Sequence, residues 1–217
     1  MPNLLHRSRS AYFYAFSIFL LWLFVISALI GMARGEADWF LPKTPINQIL
    51  GAVLLILNFP IRTAKAWLVF GFAFLVGMVV EIIGVETGAL FGEYYYGENL
   101  GWKFMGVPWL IGVYWAVLTF ITGAIAHRLF RNAWIRTAVA AALMVALDIL
   151  IEPLAHRFDF WHFANDLAPL QNYFTWYLVA FGLHIVFVRM VVVKDFWYSL
   201  NHYFSQAAFF VGGMLLV

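Results

Sequence analysis

Apolar residues gather into seven runs, at about residues 12–31, 45–60, 65–85, 106–127, 133–152, 172–192 and 203–217. A helix needs roughly 20 such residues to cross a hydrocarbon core about 30 Å thick, and most of the runs reach that length. The second, fifth and last are short or interrupted. The pattern predicts an all-α integral membrane bundle of about seven transmembrane helices, with residues 1–217 forming a single transmembrane domain.

The polar positions between the runs alternate in sign. Arg7 and Arg9 precede the first run, Arg62 and Lys65 join the second to the third, Arg128, Arg131 and Arg136 join the fourth to the fifth, and Arg189 and Lys194 join the sixth to the seventh. The other connections carry Glu36, Asp38, Glu86, Glu93, Glu98, Asp159 and Asp166, against Arg34, Lys43, Lys103 and Arg157. Basic loops stay on the cytoplasmic side, so the amino terminus is expected inside and the acidic end outside. The expected location is a bacterial-type inner (cell) membrane, crossed several times.

Composition sharpens this picture. Apolar residues make up 65% of the chain, charged residues 11%, and mean hydropathy is +0.86, which leaves no soluble domain of useful size. The net charge of +2 sits in orienting loops, so no nucleic-acid partner is expected. With no Cys there is neither a disulfide nor a thiolate site. The first run lacks a small-residue cleavage site and is expected to be retained as a helix. Neither an internal repeat nor a low-complexity tract is visible.

Two stretches interrupt the apolar background. From Glu81 to Trp109 the chain reads EIIGVETGALFGEYYYGENLGWKFMGVPW. Glu81 follows a long apolar segment, and a carboxylate at that depth is costly unless protonated, paired or wet, which marks it as functional. Gly84, Gly88 and Gly92 recur every fourth residue and are expected to form a flat helix stripe for close packing. Tyr94, Tyr95, Tyr96 and Trp102 suit an interfacial aromatic belt. From Asp148 to Trp176 the chain reads DILIEPLAHRFDFWHFANDLAPLQNYFTW. Asp148 and Glu152 are four residues apart and share one helix face, which Pro153 is expected to end. Two like charges so close in a low dielectric resist ionising together, so one should keep a proton, as a general acid must. His156, Asp159, Trp161, His162, Asn172 and Trp176 extend the polar and aromatic cluster on the same side.

Several chemistries do not fit this inventory. The six His occur in neither the HxxxH nor the HxxHH pattern of membrane di-iron hydroxylases. Retinal proteins need a Lys within the last helix, and Lys194 precedes it. Adjacent acids of the DDxxD kind are absent, and GVETGALFG does not follow a strand as a nucleotide-binding loop would. Asp148, Glu152 and His156 could hold a metal only across the interruption at Pro153, so neither metal nor cofactor is expected. What remains is a set of intramembrane acids among rings, opening toward the outer leaflet, in a chain that is 20% aromatic. Protonating a trisubstituted alkene yields a tertiary cation, which aromatic faces stabilise without attacking and which water can capture.

The order of these residues resembles the carotenoid biosynthesis membrane proteins of the CruF type, the carotenoid 1',2'-hydratases. The resemblance spans about residues 65–192. It is carried by Glu81, Gly84, Thr87, Gly88, Phe91, Gly92, Tyr94, Tyr96, Leu100, Gly101, Val107 and Pro108, then by Asp148, Glu152, Pro153, Trp161, Pro169, Asn172 and Trp176. Family members often place Asp before the proline where this chain has Glu152. The resemblance implies a hydratase, hence a carbon-oxygen lyase, acting on an acyclic carotenoid end such as that of lycopene or a monocyclic carotene. Asp148, Glu152 and Glu81 would be the catalytic acids. Tyr94, Tyr96, Trp161 and Trp176 would shield the cation, Asn172 would hold water or a carboxyl, and Thr87, His156 and Asp159 would complete the substrate site. Expected partners are a carotenoid and membrane lipid, and a homo-oligomer is left open. A carotenoid cyclase or isomerase uses the same acid and cation, a proton-coupled transporter uses the same buried acids, and a carotenoid-binding protein would need neither.

Overall fold

The computed structural model describes residues 11–58, 61, 63–164, 167–191 and 195–216. Arg7, Arg9, Arg62, Asp166 and Lys194, part of the expected charge pattern, lie outside the described residues. The long helices are α1 (Ala11–Ala33), α3 (Thr44–Asn58), α4 (Ala64–Thr87), α5 (Trp109–Leu129), α6 (Ala133–Ala155), α7 (Leu170–Met190) and α8 (Phe196–Leu216). A one-turn helix α2 (Ala37–Phe40) and a 3₁₀ turn lead directly into α3. Four short strands interrupt the helices: β1 (Tyr94–Tyr96), β2 (Lys103–Phe104), β3 (Val107–Pro108) and β4 (Trp161–Phe163).

Six helical runs are long and apolar enough to cross a membrane: α1, the continuous run Ala37–Asn58, α4, α5, α6 and α7. The chain is therefore an all-α, multi-pass membrane protein. The expected last span begins at Phe196 rather than 203 and carries Asn201, His202, Ser205 and Gln206, which dilute its apolar character below that of the other six. The fourth span begins at Trp109 rather than 106, because Gly106 takes a positive φ of 78° and Val107–Pro108 pair with Lys103–Phe104. Pro153 does not end α6. Proline removes one donor within the last turn, and the helix runs on to Ala155.

The expected glycine stripe is not formed. Gly84 lies within α4, but Gly88 is its left-handed C-cap at φ 65°, donating to the Gly84 carbonyl, and Gly92 turns the chain at φ 93° against Pro169. Glycine tolerates both conformations because it has no Cβ. The residues that resemble a packing stripe thus fold α4 back into its own following loop.

Helix α5 is the axis of the molecule, packing against α3, α4, α6, α7 and α8. Its middle is buried on all sides, with Trp115, Leu118, Phe120 and Ile121 at or near zero exposure. A helix with such surroundings has no face for charge, and its sequence shows no charged side chain between Trp109 and His127. Side-chain caps begin two neighbours: Thr63 accepts the Ala66 amide for α4, and Asn132 accepts those of Trp134 and Ile135 for α6.

Strands β1 and β4 pair antiparallel, with Tyr94 opposite Phe163, Tyr95 opposite His162 and Tyr96 opposite Trp161. The pairing ties the α4–α5 connection to the α6–α7 connection at one end of the bundle. Amides of Gly97 and Asn99 extend the tie to the carbonyls of Phe160 and Asp159. Lys65, Arg128, Arg131, Arg136 and Arg189 lie at the opposite ends of the same helices.

A Cβ on Gly77 would sit 2.6 Å from Trp115 Cγ, in a place where the ring has no room to retreat. Gly77→Ala is expected to lower stability by about 1–3 kcal/mol through overpacking, measured as denaturant-induced unfolding in detergent micelles.

Candidate active site

Glu81 lies on α4, two turns before its end, and is 2% exposed. Successive strand residues point to opposite faces, so β1 directs Tyr94 and Tyr96 inward while Tyr95 turns out to stack on His162. Both inward phenols donate to Glu81 Oε2, at 2.6 Å from Tyr94 and 2.8 Å from Tyr96. Trp115 Nε1 on α5 donates to Oε1 at 3.1 Å. Three donors from two other elements thus satisfy a carboxyl that would otherwise be orphaned in the apolar interior. Burial, and then the neighbouring Glu81 charge, push both phenols above their usual range, so they remain donors at neutral pH. The interfacial belt expected of these rings is therefore a clamp in two of its members, and a surface ring in Tyr95, which is 61% exposed.

Asp148 and Glu152 occupy successive turns of one face of α6, as their spacing requires. Asp148 is 3% exposed and accepts Asn172 Nδ2 at 3.0 Å, across from the first turn of α7. Glu152 Oε1 accepts Trp161 Nε1 at 3.1 Å, from β4. Trp176, one turn beyond Asn172, stacks on Trp115 with ring centroids 4.0 Å apart. The indole that clamps Glu81 is itself held by the helix that carries the partner of Asp148.

These side chains close around one small cavity of about 20 Å³, room for about one water molecule. Of the eleven residues expected at the site, eight line it: Glu81, Tyr94, Tyr96, Asp148, Glu152, Trp161, Asn172 and Trp176. They come from α4, β1, α6, β4 and α7. Among the described residues, no Lys, Arg or His lines this cavity beside the three carboxyls.

The remaining three lie apart from that lining. Thr87 is exposed at the end of α4, donating to the Ile83 carbonyl and accepting the Ala89 amide. His156 is exposed and shares a hydrogen bond of 2.6 Å with His162 Nδ1. Asp159, at φ 52°, accepts the Glu98 amide and pairs with His162 Nε2 at 2.8 Å. Burial opposes ionisation of Asp159, but the Glu98 amide and the His162 ring outweigh it and hold the carboxyl below its usual range. These groups brace the paired loops above the cavity.

Trp115, Tyr114 and Phe163 also line or clamp the site and carry no signal in the sequence. Trp115 and Tyr114 sit in an unbroken apolar run, and only the crossing of α5 against α4, α6 and α7 turns them toward the acids. Phe163 is brought to the site by its pairing opposite Tyr94, which three consecutive tyrosines do not announce.

Over residues 44–216 the chain matches the family described as carotenoid biosynthesis protein. It is also similar to a bisanhydrobacterioruberin hydratase of Haloarcula japonica, 29% identical over 128 residues that cover 55% of this chain and 44% of that protein. The matched stretch thus spans less than half of that relative's length. No solved structure matches the chain.

Asn172→Leu removes the donor to Asp148 and leaves a buried carboxyl without a partner. A loss of about 1–3 kcal/mol is expected from that unsatisfied group, read as a lowered unfolding midpoint in micelles.

Proposed function

The chain belongs to the carotenoid biosynthesis protein family, and from that premise we propose that it is an enzyme that hydrates the terminal C=C of an acyclic carotenoid end such as that of lycopene. The observation that carries this reading is the convergence of three carboxyls and a ring of aromatic faces on one small cavity lined by no cationic side chain. The hydratase name of the Haloarcula relative supports the same chemistry.

In the proposed reaction Asp148, protonated, gives its proton to the alkene carbon that bears one hydrogen. Asn172 donates to its Oδ2, which fixes the carboxyl and leaves Oδ1 to carry the proton. The positive charge then rests on the neighbouring carbon with its two methyl groups. Trp161, Trp176, Tyr94 and Tyr96 present π faces or edges around it and offer no strong nucleophile. Glu81, held by three donors, is suited to the anionic role of balancing the cation, because each of its partners favours a carboxylate acceptor. Water attacks the tertiary carbon, and Glu152, nearer the surface and held by Trp161, takes the proton released as the C–O bond forms. A proton passed from Glu152 to Asp148, one helix turn away, restores the starting state.

A cavity with room for about one water molecule suits the nucleophile better than the alkene. The substrate end must therefore enter by displacing rings at its border, where Trp161 and Phe163 on the short β4 strand are only partly buried. On this reading the entrance is at the loop end, which we assign to the outer leaflet in keeping with the basic residues at the other end.

The test is expression in a lycopene-accumulating bacterium, with extracted pigments read by chromatography and mass spectrometry. A more polar pigment heavier by one water, with an unchanged visible spectrum, is expected. An unchanged mass with a shifted spectrum would replace hydration by cyclisation or isomerisation. Asp148→Asn is expected to lower product formation by at least about 10²-fold, the usual contribution of a general acid, with the protein still present in the membrane. Full activity in that variant would remove Asp148 from the mechanism.

A further inference from the structure

A second cavity, of about 510 Å³, lies between α1, α3, α5 and α8, within the ~300–1,000 Å³ usual for small-molecule sites. Along α1 its wall runs from Leu21 to Met32, eleven helical steps or about 16 Å. That is about half of a hydrocarbon core roughly 30 Å thick. Leu21 stands near the middle of Ala11–Ala33 and Met32 near its end, so the cavity has the depth of a single leaflet. Leu23, Phe24 and Ile46 line it and are also exposed on the outer surface of the bundle, so it opens sideways between α1 and α3.

The wall changes character along this depth. Its inner part is mostly apolar, with Leu21, Val25 and Val117, and the polar residues of α8 behind it are nearly closed off, His202 at 5% exposed and Ser205 at 2%. The opposite rim carries Lys43, Thr44 and Asn47 beside the exposed ring of Trp39. A Cβ on Gly101 would lie 3.5 Å from Pro45, so this rim stands at the same end of the bundle as the paired loops. Lys43 Nζ donates to the Trp39 carbonyl and sits 3.3 Å from the centre of the Trp39 ring, which holds the ammonium at the mouth. Among the described residues Lys43 is the only Lys or Arg on the cavity wall, and no carboxylate pairs with it. Glu36 and Asp38, earlier in the same connection, are exposed and do not line the cavity.

We propose that this cavity holds one acyl chain of a membrane phospholipid drawn from the leaflet at the loop end, with the lipid phosphate seated on Lys43. The two ends of the cavity match the two ends of such a molecule. An apolar slot one leaflet deep, open to the side, receives a chain from the surrounding bilayer without lifting it out of lipid. The unpaired ammonium at the head-group level attracts a phosphate oxygen, and Trp39 anchors the same level, as indoles do at membrane interfaces. A pure hydrocarbon would fill the slot and leave Lys43 without a counter-charge. Seated there, the lipid closes the gap between α1 and α3 and backs Tyr114, whose side chain lines both this cavity and the acid site. The inference does not depend on the hydratase reading.

The experiment titrates lipid onto the full chain in non-ionic detergent micelles and counts bound lipids by native mass spectrometry. The probes are dioleoyl phosphatidylglycerol and dioleoylglycerol, which share their chains and differ in the phosphate-bearing head. One phosphatidylglycerol per chain is expected to bind about tenfold more tightly than dioleoylglycerol, the difference that a hydrogen bond between charged groups makes. Lys43→Met is expected to erase that preference and Lys43→Arg to keep it, since a guanidinium also pairs with phosphate. Both changes fall at the rim and leave the core packing untouched. Ala28→Phe, which fills the slot from α1, is expected to lose the bound lipid while the unfolding midpoint in micelles holds or rises. Equal affinity for the two probes, adducts that accumulate without a step at one per chain, or a preference that survives in Lys43→Met would each overturn the proposal. Displacement of the bound phospholipid by lycopene would also overturn it, by giving the slot to a carotene instead.

Discussion

The carboxyl of Glu81 is buried at membrane depth, and it is tolerable there because Tyr94, Tyr96 and Trp115 all donate to it. Remove that satisfaction and an unpaired acid remains in an apolar interior, one of the most expensive arrangements a protein can hold. The three donors come from a loop strand and from the central helix. Their convergence therefore fixes how α4 meets α5 and how the chain leaving α4 folds back on itself. The left-handed Gly88 and the turn at Gly92 serve this return.

From this clamp the rest of the site follows by contact. Trp115 stacks on Trp176, Trp176 stands one turn from Asn172, and Asn172 holds Asp148. On the other side Tyr94 and Tyr96 belong to a strand whose partner, β4, carries the Trp161 that holds Glu152. Each carboxyl is thus anchored by a donor from a different element, and no two rely on the same one. Pre-organised polar groups in a dry setting can act on a developing charge without first rearranging, which is the physical advantage of building the site from rigid helices and a paired loop. The same rigidity leaves space for little more than water.

The bundle has two dissimilar ends and two dissimilar cavities. Basic residues gather at one end of α4 to α7, and the paired loops and acids lie at the other. The small polar cavity and the larger, mostly apolar one share the wall at Tyr114. Helix α8 contributes His202, Ser205 and Gln206 to the larger compartment, and the polarity that keeps it from reading as a full membrane span is the polarity that faces this cavity.

Much was legible in the chain itself. Apolar runs at membrane length are imposed by the thickness of lipid, so the helices α1 and α4 to α7 could be located to within a few residues. Buried acids are so costly that Glu81, Asp148 and Glu152 announced themselves, and the four-residue spacing of the last two put them on one face. What sequence could not decide was which rings meet which acids. Tyr94 and Tyr96 read as an interfacial belt because aromatic residues at a helix end are common there, and their inward turn depends on β1 pairing with β4 some seventy residues away. Trp115 and Tyr114 were invisible in an apolar run for the same reason: their role depends on helix crossings, which arise from packing between segments far apart in the chain. Local composition records the solvent each segment must face, whereas a site is defined by which segments face one another, and that is settled only when the whole bundle packs.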